Sequence, residues 1–355
     1  MRYRELGKTG LCVSELGFGT IPILSGSVPV LPEYFSPDTE TAIAIMKKAF
    51  EYGCNFYDTA IPEEYGDAEI KLGEFVKTID RSRIIISDKA RFYSGGDIYR
   101  EVIRSTEHLG TKPDIYFVHQ VDEDNADEVF GKYGALDALY DLKREGKIGF
   151  TGIASHYYNV LYRGACDPRV DILQGSGNIL ERGMLERLRK EDAFREKGLI
   201  LNKVYAAGLL IGPFTPAELI GGILEYPFSC ALLGIGTFEQ AETAFAQEYP
   251  EQHFSFQDVM ERLRKVSNRS HAIAAKNVSA RTGTRSTRRS GSTIIISLGK
   301  NTGRSGNCRW MRKKHGNTAG RVRNSRACGN AADTSTFRSR WKEYIVCYVN
   351  SETYK

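Results

Sequence analysis

Through the first 250 residues, short apolar runs alternate with longer stretches whose apolar side chains recur at helical spacing. Residues 13–19, 55–57, 84–87, 115–118, 148–153, 170–173, 199–203 and 230–234 read as strands. Most are rich in Ile, Val, Leu, Phe or Tyr without polar alternation, the pattern of strands covered on both faces. Between them, residues 39–52 place Ile43, Met46, Ala49 and Phe50 on one helical face behind a Pro-Asp-Thr start signal. Residues 68–77, 98–109, 126–143, 157–164, 184–197, 216–224 and 238–247 read as further helices.

A strand–helix repeat fits either a closed barrel or an open doubly wound sheet. Eight repeats favour the α/β class in its (β/α)₈, or TIM-barrel, form, and no strand leads into a G-x-G-x-x-G turn. A barrel of this kind keeps its chemistry where strands end and strand-to-helix loops begin. The polar residues expected there are Thr20, Asp58, Lys89, His119, Ser155, His156, Gln174, Asn202 and Lys203, with glycines around Gly234.

Four groups would then converge on one mouth: Asp58 in GCNFYDTA, Tyr65 in EEYGDAE, Lys89 ending IIISDKA and His119 ending DIYFVHQVD. Taken singly, each has an ordinary explanation, as a surface or core tyrosine, a turn cap, a solvated lysine and a structural histidine. Together they suit proton delivery to a carbonyl oxygen. A tyrosine with pKa about 10 is a weak acid near neutrality. A neighbouring ammonium favours the phenolate, and a buried lysine needs a partner such as Asp58. His119 is expected to orient the carbonyl and polarise it by hydrogen bonding. A Schiff base on Lys89, as in a barrel aldolase, is the competing chemistry for this mouth.

These segments, with RELGKTGLCVSELGFGT, EGKIGFTGIASH and VDILQGSGN, resemble the ordered motifs of the aldo/keto reductases over residues 1–247. The resemblance implies a (β/α)₈ barrel, NADP(H) or NAD(H), no metal, and a small aldehyde or ketone as substrate. Asp58, Tyr65, Lys89 and His119 match its catalytic positions. Gly19, Thr20, Asp58, Ser155, His156, Gln174, Asn202, Lys203, Gly234, Gly236, Thr237 and Gln240 match its cofactor positions. There are departures. The family usually places its tyrosine five residues after the aspartate; here that place holds Glu63, and Tyr65 follows two residues later. Asn more often stands where His156 is, a tyrosine where Asn202 is, and a cation where Gly236 is.

Charge divides the chain. Residues 266–355 hold 19 Lys and Arg against 3 Asp and Glu, whereas residues 1–265 hold 30 against 41. The first part is the expected barrel. The second is a basic tail rich in Arg, Ser, Thr, Gly and Asn, expected to be disordered apart from short apolar runs at 293–298 and 344–349. A reading-frame shift near Val266 would account for so abrupt a change. Nucleic-acid association through the tail, with Trp310 and Trp341 stacking on bases, is an alternative function; an incidental basic tail is favoured. Another is a regulatory barrel that binds NADP(H) with little turnover. Cys308, Cys328 and Cys347 lack the close spacing of an iron–sulfur segment. Seven scattered cysteines, no secretory signal and no apolar stretch of membrane-spanning length point to a reducing cytoplasm and no membrane partner.

Overall fold

The computed structural model describes residues 1–25, 36–208 and 210–265. The expectations for the tail, its strands, tryptophans and cysteines included, lie outside these residues. Eight parallel strands close into a barrel: β1 Leu16–Gly19, β2 Phe56–Asp58, β3 Ile85–Ala90, β4 Ile115–Val118, β5 Phe150–Ser155, β6 Ile172–Ser176, β7 Gly198–Asn202 and β8 Cys230–Gly234. Closure comes from β8 against β1, where Gly234 stands opposite Gly19. The outer helices are α1 Thr39–Glu51, α2 Ala68–Val76, α3 Gly95–Leu109, α4 Ala135–Arg144, α5 Tyr158–Cys166, α6 Arg182–Lys190, α7 Pro216–Gly221 and α8 Phe238–Phe245. Residues 256–265 are also helical. Among the described residues, no helix is long and apolar enough to cross a membrane.

Successive strand residues face opposite sides, and the alternation sorts the barrel into layers. Ile86, Tyr116, Leu173 and Leu201 point outward into the apolar layer beneath the helices. Phe56, Ile85, Ile115, Phe117, Ile172 and Ile200 point inward and fill the barrel floor with Leu6 and Val13. One step further along the same inward rows lie Asp58, Ser87, Lys89, Gln174 and Asn202, so the polar groups occupy the opposite end.

Three sequence expectations need correction. Residues 13–19 are not one strand: Cys12–Ser14 pairs antiparallel with Tyr3–Glu5, and only Leu16–Gly19 enters the barrel. The break falls at Glu15, whose buried carboxylate takes ion pairs from Arg2 and Arg4 and whose N–H donates to Arg2 O at 2.9 Å. The helix expected over 126–143 divides into Ala126–Phe130 and α4. A Cβ at Gly134 would come within 2.1 Å of Glu128 O, and Tyr133 adopts φ 65°, so the chain turns out there. The helix expected over 184–197 stops at Lys190 and gives way to the 3₁₀ turn Asp192–Phe194.

Candidate active site

Asp58 ends β2 and is buried. Its Oδ1 accepts from Ser87 Oγ at 2.7 Å and from Gln174 Nε2 at 3.0 Å, and its Oδ2 accepts from Lys89 Nζ at 2.5 Å. Lys89 Nζ also donates to Thr59 O at 2.7 Å and lies 5.0 Å from the centroid of the Tyr65 ring. Burial alone would strip the proton from this ammonium. Asp58 and Tyr65 outweigh it and hold the lysine charged, its pKa above the ordinary value. Burial pushes the Tyr65 phenol above its usual range, and Lys89 offsets that only in part.

The two extra residues before Tyr65 form a helical turn, Pro62–Tyr65, in which Tyr65 N–H donates to Ile61 O at 3.0 Å. Proline at its first position suits the fixed φ of a helix start. The turn sends Glu63 outward to an ion pair with Arg104 of α3, while Tyr65 packs by Lys89. Of the two residues competing for the proton-donor position, Tyr65 stands next to the lysine.

His119 follows β4 on the inward row and is nearly buried. The Glu64 carboxylate lies against its Nδ1 as an ion-pair contact outside aligned hydrogen-bond angles. Burial draws His119 below its ordinary pKa, more than Glu64 restores. His156 Nδ1 is 2.6 Å from Ser176 Oγ, and Lys203 Nζ, exposed at the mouth, is 3.0 Å from His156 Nε2. Burial and the lysine's charge push His156 down to about 3. It is a neutral ring whose Nε2 accepts from the ammonium and whose Nδ1–H donates to the serine.

The remaining expected positions divide by what already engages them. Ser155 Oγ donates to Val121 O at 2.6 Å and accepts from Tyr157 N–H at 3.0 Å, a fold-holding arrangement. Gln174 Oε1 accepts from Asn202 Nδ2 at 3.4 Å, linking β7 through β6 to Asp58. Among the buried polar atoms at the strand ends, Thr20 Oγ1, Thr59 Oγ1, His119 Nδ1 and Asn202 Oδ1 have no hydrogen-bond partner. Near α8, Thr237 Oγ1 accepts from Gln240 N–H at 3.1 Å, and Gln240 Oε1 accepts from Gly236 N–H at 2.8 Å. Glu64, Ser87 and Ser176 were outside the sequence expectations. Ser87 had a signal: it lies two residues before Lys89 and shares its inward face.

A sequence profile described as the aldo/keto reductase family matches residues 15–212. L-galactose dehydrogenase of Arabidopsis thaliana is 36% identical over 162 residues, covering 42% of this chain and 47% of that protein. The NADH-specific methylglyoxal reductase of Escherichia coli is 28% identical over 252 residues, covering 62% and 73%. The match thus spans about half the length of the plant relative. A solved structure of an aldo-keto reductase from Bacillus halodurans in its holo form aligns with a TM-score of 0.55 at 21% identity. It covers 75% of this chain and 96% of that one, a likeness of fold alone.

Proposed function

The chain belongs to the aldo/keto reductase family, and on that premise we propose that residues 1–265 form an oxidoreductase that reduces small aldehydes or ketones, or oxidises the corresponding alcohols. The cofactor is NADP(H) or NAD(H), and Tyr65 is the proton donor. One observation carries this reading: the buried Lys89 ammonium stands between the Asp58 carboxylate, at 2.5 Å, and the Tyr65 ring, at 5.0 Å.

Burial keeps the Tyr65 phenol protonated at neutral pH, so it is a donor before reaction. The nicotinamide, when bound, supplies hydride to the carbonyl carbon. Charge then develops on the carbonyl oxygen, and Tyr65 OH hands over its proton. The phenolate left behind faces Lys89, whose positive charge is already in place because Asp58 holds it there. This also argues against a Schiff base on Lys89, since an ammonium has no lone pair to attack a carbonyl.

The strand ends suit a polar cofactor, because the Thr20 hydroxyl, a donor and acceptor, and the Asn202 amide oxygen, an acceptor, are buried without partners. In this reading Gly19, Thr20, Asp58, Ser155, His156, Gln174, Asn202, Lys203 and Gly234 border the nicotinamide end. Gly236, Thr237 and Gln240, at the start of α8, border the adenosine end, where a helix N-terminus favours an anion. The described cysteines, Cys12, Cys54, Cys166 and Cys230, are free, which fits the reducing cytoplasm. The test is loss of NADPH or NADH absorbance across a panel of aldehydes and ketones. Turnover with several of them supports the proposal, and cofactor binding without turnover would favour a regulatory barrel.

A further inference from the structure

Lys89 is followed at the mouth by a second cation. His119 N–H donates to Ala90 O at 2.9 Å, so β3 and β4 remain side by side as they leave the barrel. Arg91 comes next, two residues after Lys89, the spacing that returns a strand side chain to the same face. Its backbone N–H donates to Glu64 Oε1 at 2.9 Å, and the other oxygen of that carboxylate lies against the His119 ring. Arg91 thus stands one carboxylate away from the imidazole, and that carboxylate belongs to the residue before Tyr65.

The Arg91 side chain is exposed and held from one side only. Its Nη1 donates to Gln120 Oε1 at 3.0 Å. Gln120 follows His119 and adopts φ 52°, a left-handed backbone that is costly to a residue with a Cβ and concentrated at functional sites in proteins generally. Its carbonyl accepts from Tyr93 OH at 3.3 Å, which ties the turn to the segment after β3. A guanidinium carries five N–H donors in a planar fork. Among the described residues nothing accepts from the Nε and Nη2 edge of Arg91, and no carboxylate pairs with it, whereas Arg81 and Arg104 hold Asp114 and Glu63.

We propose that Arg91 determines specificity: the free edge of its guanidinium takes an oxyanion, carboxylate or phosphate, at the far end of the carbonyl substrate. The fork matches two oxygens of one anionic group, so the contact orients the substrate as well as attracting it. The adenosine end of the cofactor is assigned to the start of α8, after β8, and β3 lies three strands away round the barrel. The anion that Arg91 takes therefore belongs to the substrate. The proposal rests on the reductase reading above and adds the charge of the substrate to it.

The full chain is tested on two pairs of aldehydes at one ionic strength: succinic semialdehyde against butyraldehyde, and glyceraldehyde 3-phosphate against glyceraldehyde. In each pair the second member lacks the anion. The wild-type ratio of kcat/KM is expected to favour the anionic member of at least one pair by about tenfold or more, the worth of a charged hydrogen bond, and the pair that shows it tells carboxylate from phosphate. Arg91→Gln is expected to erase most of that ratio, and Arg91→Lys, which keeps the charge without the fork, to fall between. Each ratio is read on one preparation, so a partly folded variant does not alter it, and the backbone bond to Glu64 survives either substitution. No preference in either pair overturns the proposal, and so does a preference that persists in Arg91→Gln. No turnover of any of the four aldehydes sinks the reductase reading and the substrate charge with it; turnover without preference sinks the substrate charge alone.

Discussion

Gln174 reaches from β6 across the interior of the barrel to donate to Asp58 Oδ1 of β2 at 3.0 Å, joining two strands that are not neighbours. With Ser87 and Lys89 it gives the buried carboxylate three hydrogen-bond donors, all from barrel strands. Asp58 is thus the centre of the polar end of the barrel, holding both the lysine charge and the cross-barrel amide.

Asp58→Asn should therefore leave the Lys89 ammonium buried with neutral partners alone, the Thr59 carbonyl among them. Breaking a buried ion pair from one side typically costs about 3–5 kcal/mol. Urea unfolding of the variant checks this, and a loss below about 1 kcal/mol would contradict the pairing. Turnover should also fall, though less than in a Tyr65 variant, because Asp58 acts through Lys89.

On the outer face of β3, Asp88 is fully buried beside Glu69 of α2; burial and then Glu69 raise Asp88, whereas burial raises Glu69 and its hydrogen bond with Asp88 lowers it. Burial is the larger cause for both, and both pKa values lie above the ordinary ones. A carboxyl raised in the folded state contributes stability that is complete below its unfolded pKa, about 4, and lost as pH rises through the folded value. Asp88→Asn should remove part of that dependence. Measured against the wild type, its relative stability should increase as pH climbs from about 4 toward neutrality. A difference that stays constant with pH, in denaturant melts at several pH values, would show that Asp88 does not titrate in this way.

Much of this arrangement was legible in the sequence, because buried parallel strands and amphipathic helices leave strong periodic signals. The positions of the eight strands and the row of polar strand ends follow from them, and the count of eight favoured the closed barrel that periodicity alone could not separate from an open sheet. Boundaries failed where polar residues are inside. β3 runs through Ser87, Asp88 and Lys89 to Ala90 although its apolar run ends sooner, because the inward Ser87 and Lys89 both meet Asp58 of β2. Glu64 and Ser176 were invisible for the same reason: their partners, His119 and His156, are distant in sequence. Residues 131–134 broke a well-patterned helix through a backbone clash that no periodicity reports.

Cofactor preference should be modest. Gly236 offers no cation to a ribose phosphate, and its N–H is engaged by Gln240. Dissociation constants for NADPH and NADH, from fluorescence titration, are expected to differ little. A thousandfold preference for NADPH, about 4 kcal/mol, would mean that other groups bind the phosphate.

Lys89→Met should cut turnover about as deeply as loss of the tyrosine hydroxyl, since the phenolate formed on proton transfer would face no positive charge. Cofactor affinity, measured alongside, should change far less. A variant that keeps most of its kcat would remove Lys89 from the mechanism.

The central claim is that Tyr65 delivers the proton, and Tyr65→Phe tests it most directly. Only the transition state loses an interaction, so kcat should fall while the dissociation constant for the cofactor stays nearly unchanged. General acid catalysis is worth about a hundred- to ten-thousandfold, and a loss in that range is predicted. Glu63→Gln serves as the comparison, because Glu63 holds the family's usual tyrosine spacing but pairs with Arg104. It should retain most activity. Near-full kcat in Tyr65→Phe, with activity abolished in Glu63→Gln, would contradict the account and place the proton on a carboxylic acid.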